Sequence, residues 1–499
     1  MKFLELKNYY IIYLLLIVFF TLTFLKTEDY PSPTFEIIIF FLIFIFGAFG
    51  LYYYTKNENN LHKVALVIIL LFGITCVFLT PINDVSDEIE HTTRSEIVSS
   101  GQISTEYVQI PNNTVYGYLT IKSVDDLAQN AGYNVFNTKV DDEKINYTPV
   151  YLNSAFSQNP FYSYLPQALG FFLAKILDLN AIWMLWLGRL FNLIFYASVI
   201  YFAIKKTPIL KFPLLIVSVM PLAIYQAASL SVDGMFICLL ILAFSYFLYF
   251  YKTPKIKWSD IGIFYLAIIL SGLLKTPFLA LSLLIFLVPK ENFENNKQNI
   301  ISKLAILAVL AIGMIWSNYA TGVLANSWRG EYFAKSHVNS TEQISYLINN
   351  PTFALQRFFD SIISFPTIIE RFFFFSNDVR KYVSPILAIL YMLFFVVFSL
   401  IYPLDEKFDV KTRIKGLLIG LLIYYGVTFI QYLTWSKVGA TNVYGGVYSR
   451  YFIPLLIFVP FIINTDYFEL DKKKILLLSL TLAISFISGM IMLTISVKY

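Results

Sequence analysis

Apolar runs long enough to cross a bilayer alternate with short polar loops along almost the whole chain. At 1.5 Å of rise per residue, about 20 apolar residues in a helix cross the hydrocarbon layer. Such runs fall at roughly 9–25, 35–54, 62–80, 180–204, 212–228, 230–251, 258–274, 277–289, 303–323, 385–403, 415–434, 451–465 and 475–496. The two runs within 258–289 are short and read as a bent hairpin turning at Lys275–Thr276–Pro277, where proline lacks the donor a helix needs. A spanning helix satisfies its own backbone hydrogen bonds, which lipid cannot do. The pattern predicts an all-α polytopic integral membrane protein with about 11–13 transmembrane helices.

Two stretches interrupt the pattern and divide the chain. Amino-terminal helices (1–80) precede a large first loop domain (81–179), followed by a central bundle (180–323), a second loop (324–384) and carboxy-terminal helices (385–499). The first loop has mixed polarity, with turns at Pro111–Asn112–Asn113 and Ala131–Gly132, and ends in Asn159–Pro160–Phe161–Tyr162. The next apolar stretch, to Leu177, contains Pro166, Gln167 and Lys175. A span there would invert everything downstream, so it reads as an interfacial helix on the membrane surface.

Charge supplies the orientation. With the amino terminus in the cytoplasm, about 20 of the 37 lysines and arginines fall in the short inner loops, as the positive-inside rule requires. Both long loops then face outside. With 58% hydrophobic and 14% charged residues, the chain lacks the charge to cover a soluble domain. The net charge of +5 sits in topogenic loops, which argues against a nucleic-acid partner. Cys76 and Cys238 lie inside apolar runs, so no external disulfide framework is expected. Met1–Lys26 lacks a small-residue cleavage site and reads as the first span. Richness in Lys, Asn, Ile, Phe and Tyr points to a bacterial source, hence to the plasma membrane.

Two constellations carry candidate chemistry. In Pro81–Ile82–Asn83–Asp84–Val85–Ser86–Asp87–Glu88–Ile89–Glu90–His91, four carboxylates and a histidine follow the third span. Such a group can supply a general base, bind a divalent cation, or simply cap a solvated loop. The second is a set of charges near the outer helix ends: Arg189, Asp233, Lys275 and Arg450. Charges in hydrocarbon are costly and face a cavity or a partner, so Arg189 reads either as functional or as paired with Asp233. Both sets gather at the outer side. A carrier would place its charges at the midplane on broken repeats, and no such repeat is evident. No phosphate-cradling glycine loop or paired-cysteine metal site occurs, and the histidines are His62, His91 and His337. Gly445–Gly446 reads as a flexible external turn or a place for backbone to approach a ligand. The Asn-x-Ser/Thr triplets at Asn112, Asn146 and Asn339 are expected by chance in so Asn-rich a chain.

Six segments occur in one order: Asp87–Glu88–Ile89–Glu90–His91, Tyr164–Leu165–Pro166–Gln167–Ala168–Leu169–Gly170, Gly188–Arg189–Leu190–Phe191–Asn192, Ser229–Leu230–Ser231–Val232–Asp233–Gly234, Lys275–Thr276–Pro277 and Arg450–Tyr451–Phe452–Ile453–Pro454. Over roughly residues 81–465 the series resembles the bacterial predicted membrane proteins of domain of unknown function 2142. That family in turn resembles the C-type (GT-C) glycosyltransferases. The resemblance implies a polytopic enzyme moving sugar from a polyprenyl-phosphate carrier to a cell-envelope glycan or lipid acceptor on the external face. It implies Asp87 and Glu88 as catalytic carboxylates, with His91, Gln167, Arg189, Asp233, Lys275, Tyr448 and Arg450 as substrate-binding residues. Val85–Ser86 stand where the family commonly shows prolines. No cofactor is required by the pattern, and a divalent cation stays open. A flippase of lipid-linked envelope precursors, or a non-catalytic scaffold of a polysaccharide complex, is the alternative.

Overall fold

The computed structural model describes residues 3–24, 33–363 (except 112, 114, 139 and 141), 385–403, 408–443, 447–463 and 471–499. The Gly445–Gly446 turn, Asn112 and Thr114 lie outside the described residues. The chain is an all-α polytopic membrane protein. Among the described residues, eight helices are long and apolar enough to cross a bilayer, and four shorter apolar helical segments accompany them.

Helices α1 (Phe3–Phe24), α2 (Pro33–Lys56) and α3 (Leu61–Leu79) lead into the first loop domain. That domain begins with α4 (Glu88–Ser99), followed by β1 (Tyr107–Gln109), β2 (Tyr116–Ile121), α5 (Lys122–Gln129) and β3 (Pro149–Leu152). The three strands form an antiparallel sheet in the order β1-β2-β3, with Tyr118 opposite both Tyr107 and Leu152. The turn signals alone did not announce this sheet. Strand β2 contributes buried Tyr118 and Thr120 from one face, the period-2 pattern of a half-buried strand.

A 3-10 turn (Phe161–Tyr164) then leads into α6 (Leu165–Ile176) and α7 (Ile182–Lys206). Helix α6 buries Gln167, Ala168, Phe171 and Ala174 and leaves Leu165, Leu169, Phe172 and Ile176 exposed. The run expected at 212–228 is two helices, α8 (Lys211–Ser218) and α9 (Pro221–Ala227). Pro221 opens the second because it cannot donate into the first. Helices α10 (Asp233–Lys252) and α11 (Trp258–Gly272) follow. The expected bent hairpin turns at Lys275 into a 3-10 segment (Thr276–Leu287). Then come α12 (Asn296–Ala325), α13 (Trp328–Lys335), α14 (Ser340–Asn349) and α15 (Pro351–Ile363). The chain closes with α16 (Pro385–Ile401), α17 (Val410–Trp435), a 3-10 segment (Ser449–Ile457) running into α18 (Phe458–Ile463), and α19 (Lys472–Lys498). Pro454 inside the second 3-10 segment explains why the run expected at 451–465 is not one α-helix.

Burial sorts centre from perimeter. In α10 and α19, 83% of the most apolar stretch is buried, against 22% in α1 and α12. The first pair forms the core and the second faces lipid. Helix ends also separate cleanly. At one end the lysine-rich loops meet, with Lys473 near Glu58 and Lys206 on Asp260 at 2.9 Å. At the other, Ser496 bonds the Phe24 carbonyl at 2.5 Å and Lys498 pairs with Asp84 beside the loop domain.

Candidate functional site

Helix α3 stops at Leu79, and the chain turns through Thr80–Asp87 before α4. Two residues of the turn, Asn83 and Asp87, have left-handed backbone (φ 49° and 66°). Neither is glycine, so the surrounding bonds must hold them there. Asn83 donates to the Leu127 carbonyl at 3.0 Å and accepts from Thr92 at 2.6 Å.

Arg189, entering from α7 and fully buried, fastens this turn from beneath. Its Nε and Nη2 grip Glu88 at 2.8 and 2.6 Å, and its remaining donors reach the carbonyls of Val77, Thr80 and Pro81 at 3.3, 2.7 and 2.8 Å. Glu88, equally buried, also accepts from the Leu230 backbone at 2.9 Å. All five guanidinium donors are thereby spent. The pairing of Arg189 with Asp233 considered above is corrected: Glu88, lying closer across the α3–α4 turn, takes its place.

The acidic run therefore disperses. Asp84 pairs with Lys498 of α19 at 2.8 Å, Glu88 with Arg189, and Asp87 with Arg450 at 2.6 Å. Glu90 is partly buried, and burial raises its carboxyl above the usual range, with Asp87 adding to the rise and Arg329 opposing it. Among the described residues no three His, Cys, Asp or Glu side chains converge on a point that could hold a metal ion.

Asp87 is the acid that reaches open space. It lines a cavity of about 380 Å³ together with His91, Asp233, Lys275, Arg329, Tyr448, Arg450 and Tyr451, with Phe156, Asn159, Gln431 and Trp435 completing the walls. Its side chain is 34% exposed, against 4% for Arg450 and for Asp233. Asp233, first residue of α10, holds Arg450 through Oδ2 at 2.6 Å and Lys275 through Oδ1. Lys275 also stands over the rings of Phe236 and Tyr451 at 4.5 and 4.4 Å, and Arg450 over Tyr448 at 4.4 Å. These contacts fix the cations without neutralising them. His91, one turn along α4, is buried, which pushes its imidazole down to about 4 against the opposing pull of Asp87 and Asp233. It is neutral at pH 7.

Of the nine expected residues, six line the cavity: Asp87, His91, Asp233, Lys275, Tyr448 and Arg450. Glu88, Arg189 and Gln167 do not. Gln167 is buried beneath the site, donating to the Leu230 carbonyl at 3.2 Å.

Arg329 is a cavity residue that the sequence reading passed over. It sits at the start of α13, where the Ser327 hydroxyl accepts from its backbone amide at 3.3 Å. Its guanidinium lies between the rings of Phe156 and Trp435, 4.9 Å from each, and makes no ion pair or hydrogen bond among the described residues. Burial lowers its pKa, while Asp87 and Glu90 act in the other direction. A signal was present: an arginine beside a tryptophan just beyond the end of α12, in a long loop away from the lysine-rich side. In all, three cations face two carboxylates across the cavity, leaving one net positive charge.

A family model described as "Predicted membrane protein (DUF2142)" matches residues 70–459. The match takes in every residue of the cavity and leaves α1, α2 and α19 outside. No curated protein and no solved structure matches the chain.

Proposed function

The chain belongs to the family of predicted membrane proteins called domain of unknown function 2142, and on that premise we propose that it is a glycosyltransferase working at the external face of a bacterial plasma membrane. The donor is a sugar on a polyprenyl-phosphate carrier, and the acceptor a cell-envelope glycan or lipid. The observation that carries this reading is the cavity itself. A partly exposed carboxylate, Asp87, stands beside Lys275, Arg329 and Arg450 at the end of the bundle away from the lysine-rich loops. The family's resemblance to C-type glycosyltransferases points the same way.

The chemistry follows from that pairing. Glycosyl transfer passes through an oxocarbenium-like state, with negative charge growing on the departing phosphate oxygen. Asp87 takes the proton of the acceptor hydroxyl as that oxygen bonds to the anomeric carbon. The bond from that carbon to the phosphate oxygen breaks, and the polyprenyl phosphate leaves with the electron pair. Arg450 holds Asp87 by one oxygen, Oδ2. Lys275 and Arg329 meet the phosphate in a water-poor site, where their charge counts for more. A polyprenyl-phosphate sugar is a phosphodiester with one negative charge, which the single surplus positive charge of the cavity suits. Asp233 anchors both Lys275 and Arg450. Glu88 and Arg189 hold the turn that carries Asp87 and take no part in the transfer.

Purified protein in proteoliposomes, offered a labelled polyprenyl-phosphate sugar or the matching nucleotide sugar, tests this. Label should pass to the acceptor from the lipid donor and be lost in Arg329→Ala and Arg450→Lys. Arginine's planar fork binds two oxygens where lysine offers a point charge, so the lysine variant is expected to fail despite its charge. Transfer from the nucleotide sugar alone would reject the polyprenyl-phosphate donor, and movement of unmodified lipid without transfer would reject the enzyme reading.

A further inference from the structure

His91 sits among the charged groups of the cavity and has two ring nitrogens in different settings. Nδ1 lies 2.8 Å from the Tyr164 hydroxyl. That hydroxyl is also 3.0 Å from Asn159 Nδ2. An amide NH2 can only donate, so the tyrosine oxygen accepts from Asn159. Tyr164 has no other acceptor for its own proton among the described residues, and the hydroxyl is buried, so leaving that proton unpaired would be costly and it goes to His91 Nδ1, which accepts. A neutral imidazole that accepts at Nδ1 carries its proton on Nε2. Nε2 makes no hydrogen bond among the described residues, and the ring lines the cavity. A tilted contact with Phe156, centroids 4.9 Å apart, limits the ring's freedom.

We infer that His91 donates a hydrogen bond from Nε2 to a phosphate oxygen of the substrate, in a tautomer set by the chain Asn159–Tyr164–His91. The inference rests on reading the cavity as the phosphate site. It adds a directed contact to those of the cations, of which Arg329 alone has no carboxylate partner among the described residues. Lys275 and Arg450 each share their charge with Asp233, and Arg450 with Asp87 as well. A neutral donor among them adds a directed bond to the growing negative charge without competing for those carboxylates. The same proton on Nε2 leaves no lone pair facing the cavity, so His91 is not the base, and that role stays with Asp87. Burial keeps the ring neutral. The charged groups acting on it are Asp87 from the turn just before its own helix, Asp233 of α10, and Lys275 and Arg450 from the segments packed opposite. Tyr164 and Asn159 are positioning residues, acting on the substrate only through His91.

Two measurements test the inference. In the first, full-length protein carrying 15N-labelled histidine is studied by solid-state NMR in lipid, with His91 assigned by its loss in His91→Gln. The expected spectrum has the proton on Nε2 and none on Nδ1, unchanged between pH 7.5 and 5.5. Tyr164→Phe should give a mixture of tautomers. A protonated Nδ1 in the wild type, or a wild-type tautomer unaltered in Tyr164→Phe, overturns the assigned lock.

The second measures binding of a polyprenyl monophosphate in nanodiscs of neutral lipid, with inorganic phosphate titrated separately to tell a lipid headgroup from free phosphate. His91→Leu should raise Kd about tenfold or more, since bonds to charged groups are worth that much. His91→Gln, whose amide can donate from nearly the same place, should stay within about threefold of wild type. Equal losses in both variants overturn the donor role. Should His91→Leu fail to fold, His91→Gln against wild type decides: a tenfold loss there overturns it. Wild type that binds neither probe overturns the phosphate reading of the cavity and this inference with it, while the tautomer is judged by NMR alone. Binding that behaves as expected without any sugar transfer would reject the enzyme and leave the His91 contact standing.

Discussion

Asp87 and Glu88 are neighbours in the chain and opposites in environment. Glu88 is sealed against Arg189 with no exposure, while Asp87 keeps a third of its side chain open to the cavity. Removing charge from each should therefore fail in different ways. Asp87→Asn can still accept a bond from Arg450 but cannot take a proton from the acceptor, so kcat should fall by about a hundredfold or more. Protein yield and Tm should stay near wild type. Glu88→Gln leaves the Arg189 guanidinium buried without its counter-charge, a loss of about 3–5 kcal/mol in comparable pairs. Its effect should appear as low yield and a depressed Tm. Thermal melts in detergent beside a transfer assay separate the two. A fully active Asp87→Asn would reject its role as base, and an undisturbed Tm in Glu88→Gln would reject the stapling role. Which acid was which could not be read from the run Asp84–Glu90. Each one's partner lies 101 or more residues further along the chain, at Arg189, Arg450 and Lys498. Only the folded chain brings those partners in.

Among the elements, α6 and α7 show what the glycines of two of the six ordered segments do. A Cβ on Gly170 would stand 2.4 Å from the Leu187 carbonyl oxygen, and one on Gly188 would meet Leu230 and Phe171 at 2.6 and 2.7 Å. The helices cross at backbone distance, and α6 carries Tyr164 at its start, so the close crossing also sets the group behind His91. Gly170→Ala must push α6 away from backbone that cannot yield, and the expected outcome is a Tm lowered by several degrees. Gly262→Ala, in α11 with nothing within 4 Å of the added atom, is the control. It should raise stability slightly, because alanine loses less freedom in a helix than glycine. Equal melts for the two variants would refute the crossing. At this scale much was legible: apolar run length located the spanning segments, and Pro277 marked the hairpin turn. The three-stranded sheet and the break at Pro221 were not, since strands of three to six residues carry weak patterns and a mid-run proline leaves hydropathy intact.

For the whole molecule the question is which way the bundle faces, because the donor reading depends on it. The lysine-rich loops gather at one end, and the cavity opens at the other beside the first loop domain. This separation was legible from lysine placement because topology is written into short loops. The exposed apolar stripe of α6, Leu165–Leu169–Phe172–Ile176, lies on the same loop domain, where it suits a helix resting in the headgroup layer. If the lysine end is cytoplasmic, the site has no supply of nucleotide sugars and must draw on a lipid carrier already across the membrane. Reversed, the cavity would meet the cytosolic pool and the polyprenyl donor would lose its rationale. Single cysteines decide between these. Cys76 and Cys238 are both buried and can be replaced to give a silent background. Gln102→Cys in the first loop domain, Ser340→Cys at the start of α14 and Asn59→Cys between α2 and α3 all place the thiol at exposed positions. In intact cells an impermeant thiol reagent should label Gln102→Cys and Ser340→Cys at once, and reach Asn59→Cys only after lysis. The two external sites lie on segments separated by six spanning segments, so their agreement would also check the parity of crossings between them, including the broken pair α8–α9 and the 3-10 segment after Lys275. Labelling of Asn59→Cys from outside would reverse the bundle and, with it, the case for a lipid-borne sugar.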